Sequence, residues 1–213
     1  MKRIVFAVAV MMAAGAWGAT PLALSLGAAT IPESAEVYGV HLSPIAFGPG
    51  PKRVTGLSLG GVNSSVENEL RGIQASGLFA FAGPDGFVHG CQLAGFWAGG
   101  DHLRGIQAAG VFSGAEEMAG LQAAGLVSFA VDFRGVQIAG LLSTARECRG
   151  LQMAFWTGSE SMCGVQIGVM NFAVPAEDGW VVQIGLLNGI GRDKDAGWFE
   201  GTRYFPGINI GWR

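Results

Sequence analysis

Gly105-Ile106-Gln107-Ala108-Ala109-Gly110, Gly120-Leu121-Gln122-Ala123-Ala124-Gly125 and Gly135-Val136-Gln137-Ile138-Ala139-Gly140 carry one phrase three times at a step of 15 residues. The glutamine of that phrase recurs as Gln74, Gln92, Gln107, Gln122, Gln137, Gln152, Gln166 and Gln183, at steps of 18, 15, 15, 15, 15, 14 and 17, and the chain has no other glutamine. A residue type confined to one phase of a repeat serves the architecture. Short repeats of this kind are single structural units that cannot bury a face alone and must pack on copies of themselves.

Aligned on the glycine two residues before each glutamine (Gly72, Gly90, Gly105, Gly120, Gly135, Gly150, Gly164), the flanks are regular. Two residues earlier stand Leu70, Val88, Leu103, Met118, Phe133, Cys148 and Met162; one residue later stand Ile73, Cys91, Ile106, Leu121, Val136, Leu151 and Val165. In Gly164 to Ala173, Val165, Ile167 and Val169 alternate with Gly164, Gln166 and Gly168, which is strand periodicity. Turn signals follow each apolar run: Gly83-Pro84-Asp85-Gly86, Gly99-Gly100-Asp101, Gly114-Ala115-Glu116-Glu117, Ala145-Arg146-Glu147, Gly158-Ser159-Glu160 and Pro175 to Gly179. Each module therefore predicts one strand of about 10 residues and a short turn. The extra residue in Gln-Ala-Ala-Gly relative to Gln-Ile-Gly predicts a bulge.

Two architectures use such modules. Tight turns give an antiparallel up-and-down meander, free of edges when closed into a barrel. Parallel stacking gives a β-solenoid with one coil per module, in which identical side chains sit about 4.8 Å apart and the glutamines form a ladder. Uncharged windows such as Gly120 to Val131 match the 9 to 11 residues of a membrane-spanning strand. Phe87, Trp97, Phe112, Phe133, Trp156, Trp180 and Trp198 near strand ends suit aromatic belts. The expected fold is all-β, an antiparallel meander closed into a transmembrane-type barrel of about 10 to 12 strands, with the parallel solenoid of about 15 residues per coil as the alternative. The apolar residue two before each module glycine argues for that alternative, because it shares the glutamine face and would point into a lumen. A Cys148 to Cys163 crosslink is the expected signature of stacked coils.

Residues 1–18 read as a secretory leader: Lys2 and Arg3 precede the uncharged run Ile4 to Ala14, with small-residue cleavage positions after Ala16 or Gly18. Residues 19–35 read as an extended lead-in, 36–213 as a single repeat-built β domain with strands at Glu36 to Leu42 and Val54 to Val62, and Asn63 to Glu69 as a polar loop. Gly191 to Gly201 is the longest polar loop, and Tyr204 to Arg213 a closing strand. Without Lys2 and Arg3 the chain keeps 11 basic residues against 16 acidic ones, which argues against nucleic acid as partner. The 36 glycines argue against helices. Cys91, Cys148 and Cys163 are too few for a disulfide framework.

No reactive constellation stands out in the sequence. His89, Cys91 and His102 lack further ligands at metal spacing beyond the turn residues Asp85 and Asp101. Ser113, Ser128 and Ser143 recur with the repeat, so they are architectural. Glu116-Glu117 and Glu177-Asp178 read as solvated turn acids, and Arg71, Arg104, Arg134 and Arg149 as strand-end charges that could also make an anion-binding row. No catalytic, cofactor or metal residues are assigned.

Gly164-Val165-Gln166-Ile167-Gly168-Val169-Met170-Asn171, Val182-Gln183-Ile184-Gly185-Leu186-Leu187-Asn188, Val37-Tyr38-Gly39-Val40 and Phe205 to Trp212 resemble bacterial surface repeat-containing proteins built from Gly-Leu-Gln-Ile-Gly-Leu-x-Asn units. The resemblance covers about residues 36–213 and implies association with the bacterial surface; any asparagine ladder would be incomplete, since Ser113, Ser128, Ser143 or Thr157 replaces the asparagine. The expected function is that of a non-enzymatic exported protein, an outer-membrane barrel or surface component touching outer-membrane lipid, with passive pore activity. The alternative is a periplasmic or surface-attached solenoid that binds a protein or glycan partner.

Overall fold

The computed structural model describes residues 19–27, 29–31, 36–46, 48, 50–191 and 203–213. The leader, the polar segment 192–202 and Trp198 lie outside the described residues. The chain divides into two compact units, residues 1–109 and 110–213, and among the described residues both consist of strands and turns with no helix.

The first unit holds β1 (Ala19–Gly27), β2 (Ala29–Ile31), β3 (Glu36–Ala46), β4 (Arg53–Gly60), β5 (Asn63–Val66), β6 (Glu69–Ser76), β7 (Phe79–Ala82), β8 (Phe87–Ala94) and β9 (Trp97–Ala109). The lead-in thus joins the sheet: β1 lies parallel on β3, with β2 folded back on it. One parallel sheet runs β3, β4, β6, β8, β9, and a second runs β5, β7, β9. Strand β9 belongs to both, pairing Trp97 to Gly99 with β7 and His102 to Ala109 with β8. A strand that serves two sheets has turned a corner, so each module is one coil.

The second unit holds β10 (Phe112–Ala124), β11 (Val127–Ala139), β12 (Leu142–Met153), β13 (Trp156–Ile167), β14 (Met170–Pro175), β15 (Trp180–Ile190) and β16 (Arg203–Trp212). From β10 to β15 every pairing is parallel, and β16 closes the end antiparallel to β15. Register is glycine on glycine and glutamine on glutamine: Gly120, Gly135, Gly150 and Gly164 align, as do Gln122, Gln137, Gln152, Gln166 and Gln183.

Each unit is a parallel β-solenoid, which corrects the expectation of an antiparallel transmembrane barrel. The misleading signal was the uncharged window of spanning length. Gly120 to Val131 is not one straight strand but bends at Gly125 and Leu126 between β10 and β11. The acidic segments expected as turns in the middle modules lie inside strands instead, at a second corner where Glu116, Val131 and Arg146 drop out of the pairing ladder. Gly83 to Gly86 and Ala176 to Gly179 do form reverse turns, with Asp85 and Asp178 at φ 58° and 54°. The extra residue of the longer modules is absorbed at the strand end before the corner. Asn63 to Val66, expected as loop, is β5.

The module glycines explain why the coils stack so closely. Gly135 has φ +133°, and a Cβ there would sit 2.1 Å from the carbonyl oxygen of Gly120 one coil earlier. Any other residue would combine backbone strain with a clash against backbone. The residue two before that glycine points inward: Leu70, Val88, Leu103, Met118, Phe133, Cys148 and Met162 are all buried. The expectation of Phe133 in an aromatic belt is corrected accordingly. This apolar spine fills the space that a barrel would leave as a lumen.

Candidate functional site

Alternation along each strand sends the glutamines into the same interior, and all eight are fully buried. A buried primary amide must satisfy two donors and an acceptor. Stacking supplies both directions. Gln137 Nε2 donates to Gln122 Oε1 at 2.9 Å, Gln152 to Gln137 at 2.8 Å, Gln166 to Gln152 at 2.9 Å and Gln183 to Gln166 at 2.8 Å. In the first unit Gln92 donates to Gln74 at 3.1 Å and Gln107 to Gln92 at 2.9 Å. The second amide proton crosses the coil to a carbonyl on the opposite wall, as from Gln137 to Thr144 O at 3.2 Å and from Gln183 to Gly189 O at 3.0 Å. Each glutamine therefore ties coil to coil and wall to wall. The ladder is directional, so its last acceptor, Gln183 Oε1, has no following coil and no hydrogen-bond partner.

A second interior column runs Ser113, Ser128, Ser143, Thr157, Asn171, Asn188, all fully buried. Only its end is an asparagine ladder, with Asn171 Nδ2 donating to Asn188 Oδ1 at 2.7 Å. At the other end of the chain His41 and Ser58 occupy the glutamine column, in register with Gln74. His41 is fully buried, its Nε2 2.8 Å from Ser25 Oγ and its Nδ1 2.8 Å from Ser58 Oγ. Burial pushes its pKa down to about 4. Sequence reasoning missed His41, although its position two after Gly39 is the signal that could have found it.

The charged candidates gather at one edge of the coil. In the first unit Glu36, Arg53 and Glu69 align, with Arg53 bonded to both carboxylates at 2.9 and 2.8 Å. Glu69 is held below the usual carboxylate range first by its bond to Arg71. In the second unit Glu117, Asp132 and Glu147 stack in register, and Arg134 stacks on Arg149. Of the expected arginine row, Arg134 and Arg149 are brought together, while Arg71 and Arg104 are separated by His89. His89 and His102 flank Phe87, their rings stacked on it at centroid distances of 6.4 and 4.6 Å, and no group of metal-ligating side chains is present among the described residues.

Away from that edge and from the second corner, the outward-facing rows of β10 to β15 carry no charged side chain among the described residues. Residues one after the glycine (Leu121, Val136, Leu151, Val165), with Val182 in register after Val181, and one after the glutamine (Ala123, Ile138, Met153, Ile167, Ile184) form two adjacent apolar rows. At the corner beyond them stand Leu126, Leu141, Phe155 and Leu186, 48%, 52%, 48% and 74% exposed. The solenoid thus buries its amides beside the apolar spine and leaves a second set of aliphatic side chains outside.

The cysteines do not mark a site. Cys148 is buried and its thiol is pushed up to about 12 by burial, whereas Cys163 is half-buried and aligned with the exposed Arg149. Neighbouring coils hold them, but on opposite sides of the wall, which corrects the expected crosslink. A cleft of about 580 Å³ lies at the C-terminal end, lined by Pro175, Ile190, Phe205, Asn209 and Trp212 among others. No protein-family model, no curated protein and no solved structure matches the chain.

Proposed function

We propose that the protein is a non-enzymatic, exported β-solenoid scaffold that docks on a partner through its regular, uncharged outer face. The observation that carries this reading is the apolar surface of the second unit, where in-register rows of Leu, Val, Ile and Met are left outside while every glutamine is inside. Contiguous apolar surface of this kind marks an interaction site. Export rests on the leader-like residues 1–18. A scaffold role is supported by the fate of the polar repeat residues, since the glutamine amides spend their hydrogen bonds on one another and on backbone carbonyls.

The reading is tested by gently lysing cells that express the full chain and sizing the native extract. Wild type is expected in an assembly, sedimenting with envelope or as a larger complex. The double variant Leu141→Asn/Phe155→Asn, on exposed positions, is expected to migrate as a free monomer with an unchanged circular dichroism spectrum. Wild type recovered as a partner-free monomer sinks the proposal.

A further inference from the structure

We propose that the occupant of this face is a lipid bilayer surface, with the second unit lying on its apolar corner as an interfacial protein; this rests on the docking reading above. The corner is a continuous ridge. Leu126 N donates to Val111 O at 3.1 Å, Leu141 N to Leu126 O at 2.9 Å, Val169 N to Phe155 O at 2.9 Å and Leu186 N to Val169 O at 3.1 Å. At about 4.8 Å per coil the ridge runs roughly 24 Å. Next along the chain lies a parallel row, Val127, Leu142, Trp156, Met170 and Leu187, also apolar.

Three features select lipid over other occupants. The ridge is convex and apolar on both flanks, so a second flat sheet could cover one flank only, whereas acyl chains conform to both. The side chains of the ridge and of the rows flanking it offer no exposed hydrogen-bonding groups, the Nε1 of Trp156 being buried, so a glycan would lose its hydroxyl bonds to water without replacement. The amide donors at the corner are already bonded to the neighbouring coil, the condition for placing backbone in an apolar medium. Charge is zoned to match: Glu117, Asp132, Arg134, Glu147 and Arg149 occupy the edge, and none lies in the ridge or its flanking rows. Separation of an apolar stripe from a charged one is the signature of interfacial binding. Because the charged edge carries both signs and sits away from the ridge, attraction to anionic headgroups is not needed.

The experiment is co-sedimentation of the purified full chain with phosphatidylcholine vesicles and with vesicles containing phosphatidylglycerol, at low and high salt, alongside light scattering on the lipid-free protein. Binding to both vesicle types, insensitive to salt, is expected, with a loss of tenfold or more in Leu141→Asn/Phe155→Asn and little change in Arg134→Gln/Glu147→Gln. Retention by Leu141→Phe separates apolar contact from a structural effect. No binding by wild type, or equal binding by the corner variant, overturns the proposal. Binding only to anionic vesicles that salt abolishes overturns it also. A wild-type dimer that ignores vesicles and that the corner variant dissolves assigns the face to a second copy, so lipid docking falls while the docking reading stands.

Discussion

Gln152 bonds to three other side chains. Its Oε1 accepts from Gln166 Nε2 and from Ser159 Oγ, and its Nε2 donates to Gln137. Gln183 donates to Gln166 and to Gly189 O, but its own oxygen serves no partner. Replacing a buried amide by an apolar residue of similar size leaves each former partner unsatisfied, at about 1–3 kcal/mol apiece. Gln152→Met is therefore expected to destabilise by about 1–3 kcal/mol more than Gln183→Met, measured as the difference in urea unfolding free energy. His41 makes a different residue-scale prediction. Its folded pKa of about 4 lies below the ordinary 6.5, so the unfolded chain binds the extra proton between those values. The stability that neutral His41 contributes is complete above about pH 6.5 and is lost as pH falls toward 4, by roughly 3 kcal/mol at most. Ser25, Thr30, Ser58 and Ser64, the polar side chains along its hydrogen-bond chain, carry no charge to offset protonation. His41→Gln, which restores the residue usual in that column, is expected to flatten unfolding free energy across that window; an unchanged slope would show that other groups govern it.

At the scale of elements, the sharpest consequence concerns β12 and β13. Cys148 on β12 aligns with Met162 in the interior, and Cys163 on β13 aligns with Arg149 outside. The native chain is expected to react with a maleimide at Cys163 well before Cys148, which labels only on unfolding. Mild oxidant is expected to give no Cys148 to Cys163 disulfide, and a rapid one would mean that the coil register is wrong. The two ends of the strand path are closed differently from its middle. Antiparallel β16 covers the edge of β15, and β2 folds back on Leu24 to Leu26 of β1.

For the whole molecule, a stacked coil and a spanning barrel differ in how they meet detergent. Folded barrels resist dodecyl sulfate until boiled and change gel mobility on heating, an outcome tied to a closed hydrogen-bonded cylinder in lipid. The solenoid units are expected to show one mobility, heated or not. A heat-modifiable band would restore the barrel. Stability in such a fold is close to a sum over neighbouring coils. The glutamine column, the interior apolar spine and the glycine row contribute along most of the stack, with His41 and Ser58 in place of glutamine and Val181 in place of glycine near its ends.

How much of this was legible follows from what each residue needs. The sequence alone determined that the chain is a β repeat of about 15 residues, because seven of the eight glutamines keep one phase with a glycine two residues earlier and an apolar residue two before that. Strand periodicity along Gly164 to Ile167 was equally readable, since alternation depends only on neighbouring residues. Direction was not. An uncharged run such as Gly120 to Val131 satisfies a straight spanning strand and a strand bent at Gly125 equally well, and hydropathy contains no information about whether the next strand returns parallel or antiparallel. Only the tertiary structure decided that, by placing Gln137 on Gln122 and the Gly120 carbonyl where a Cβ of residue 135 would be. The physical reason is that a buried amide and a left-handed glycine are satisfied by partners one coil away, and those partners exist only once the coils are stacked.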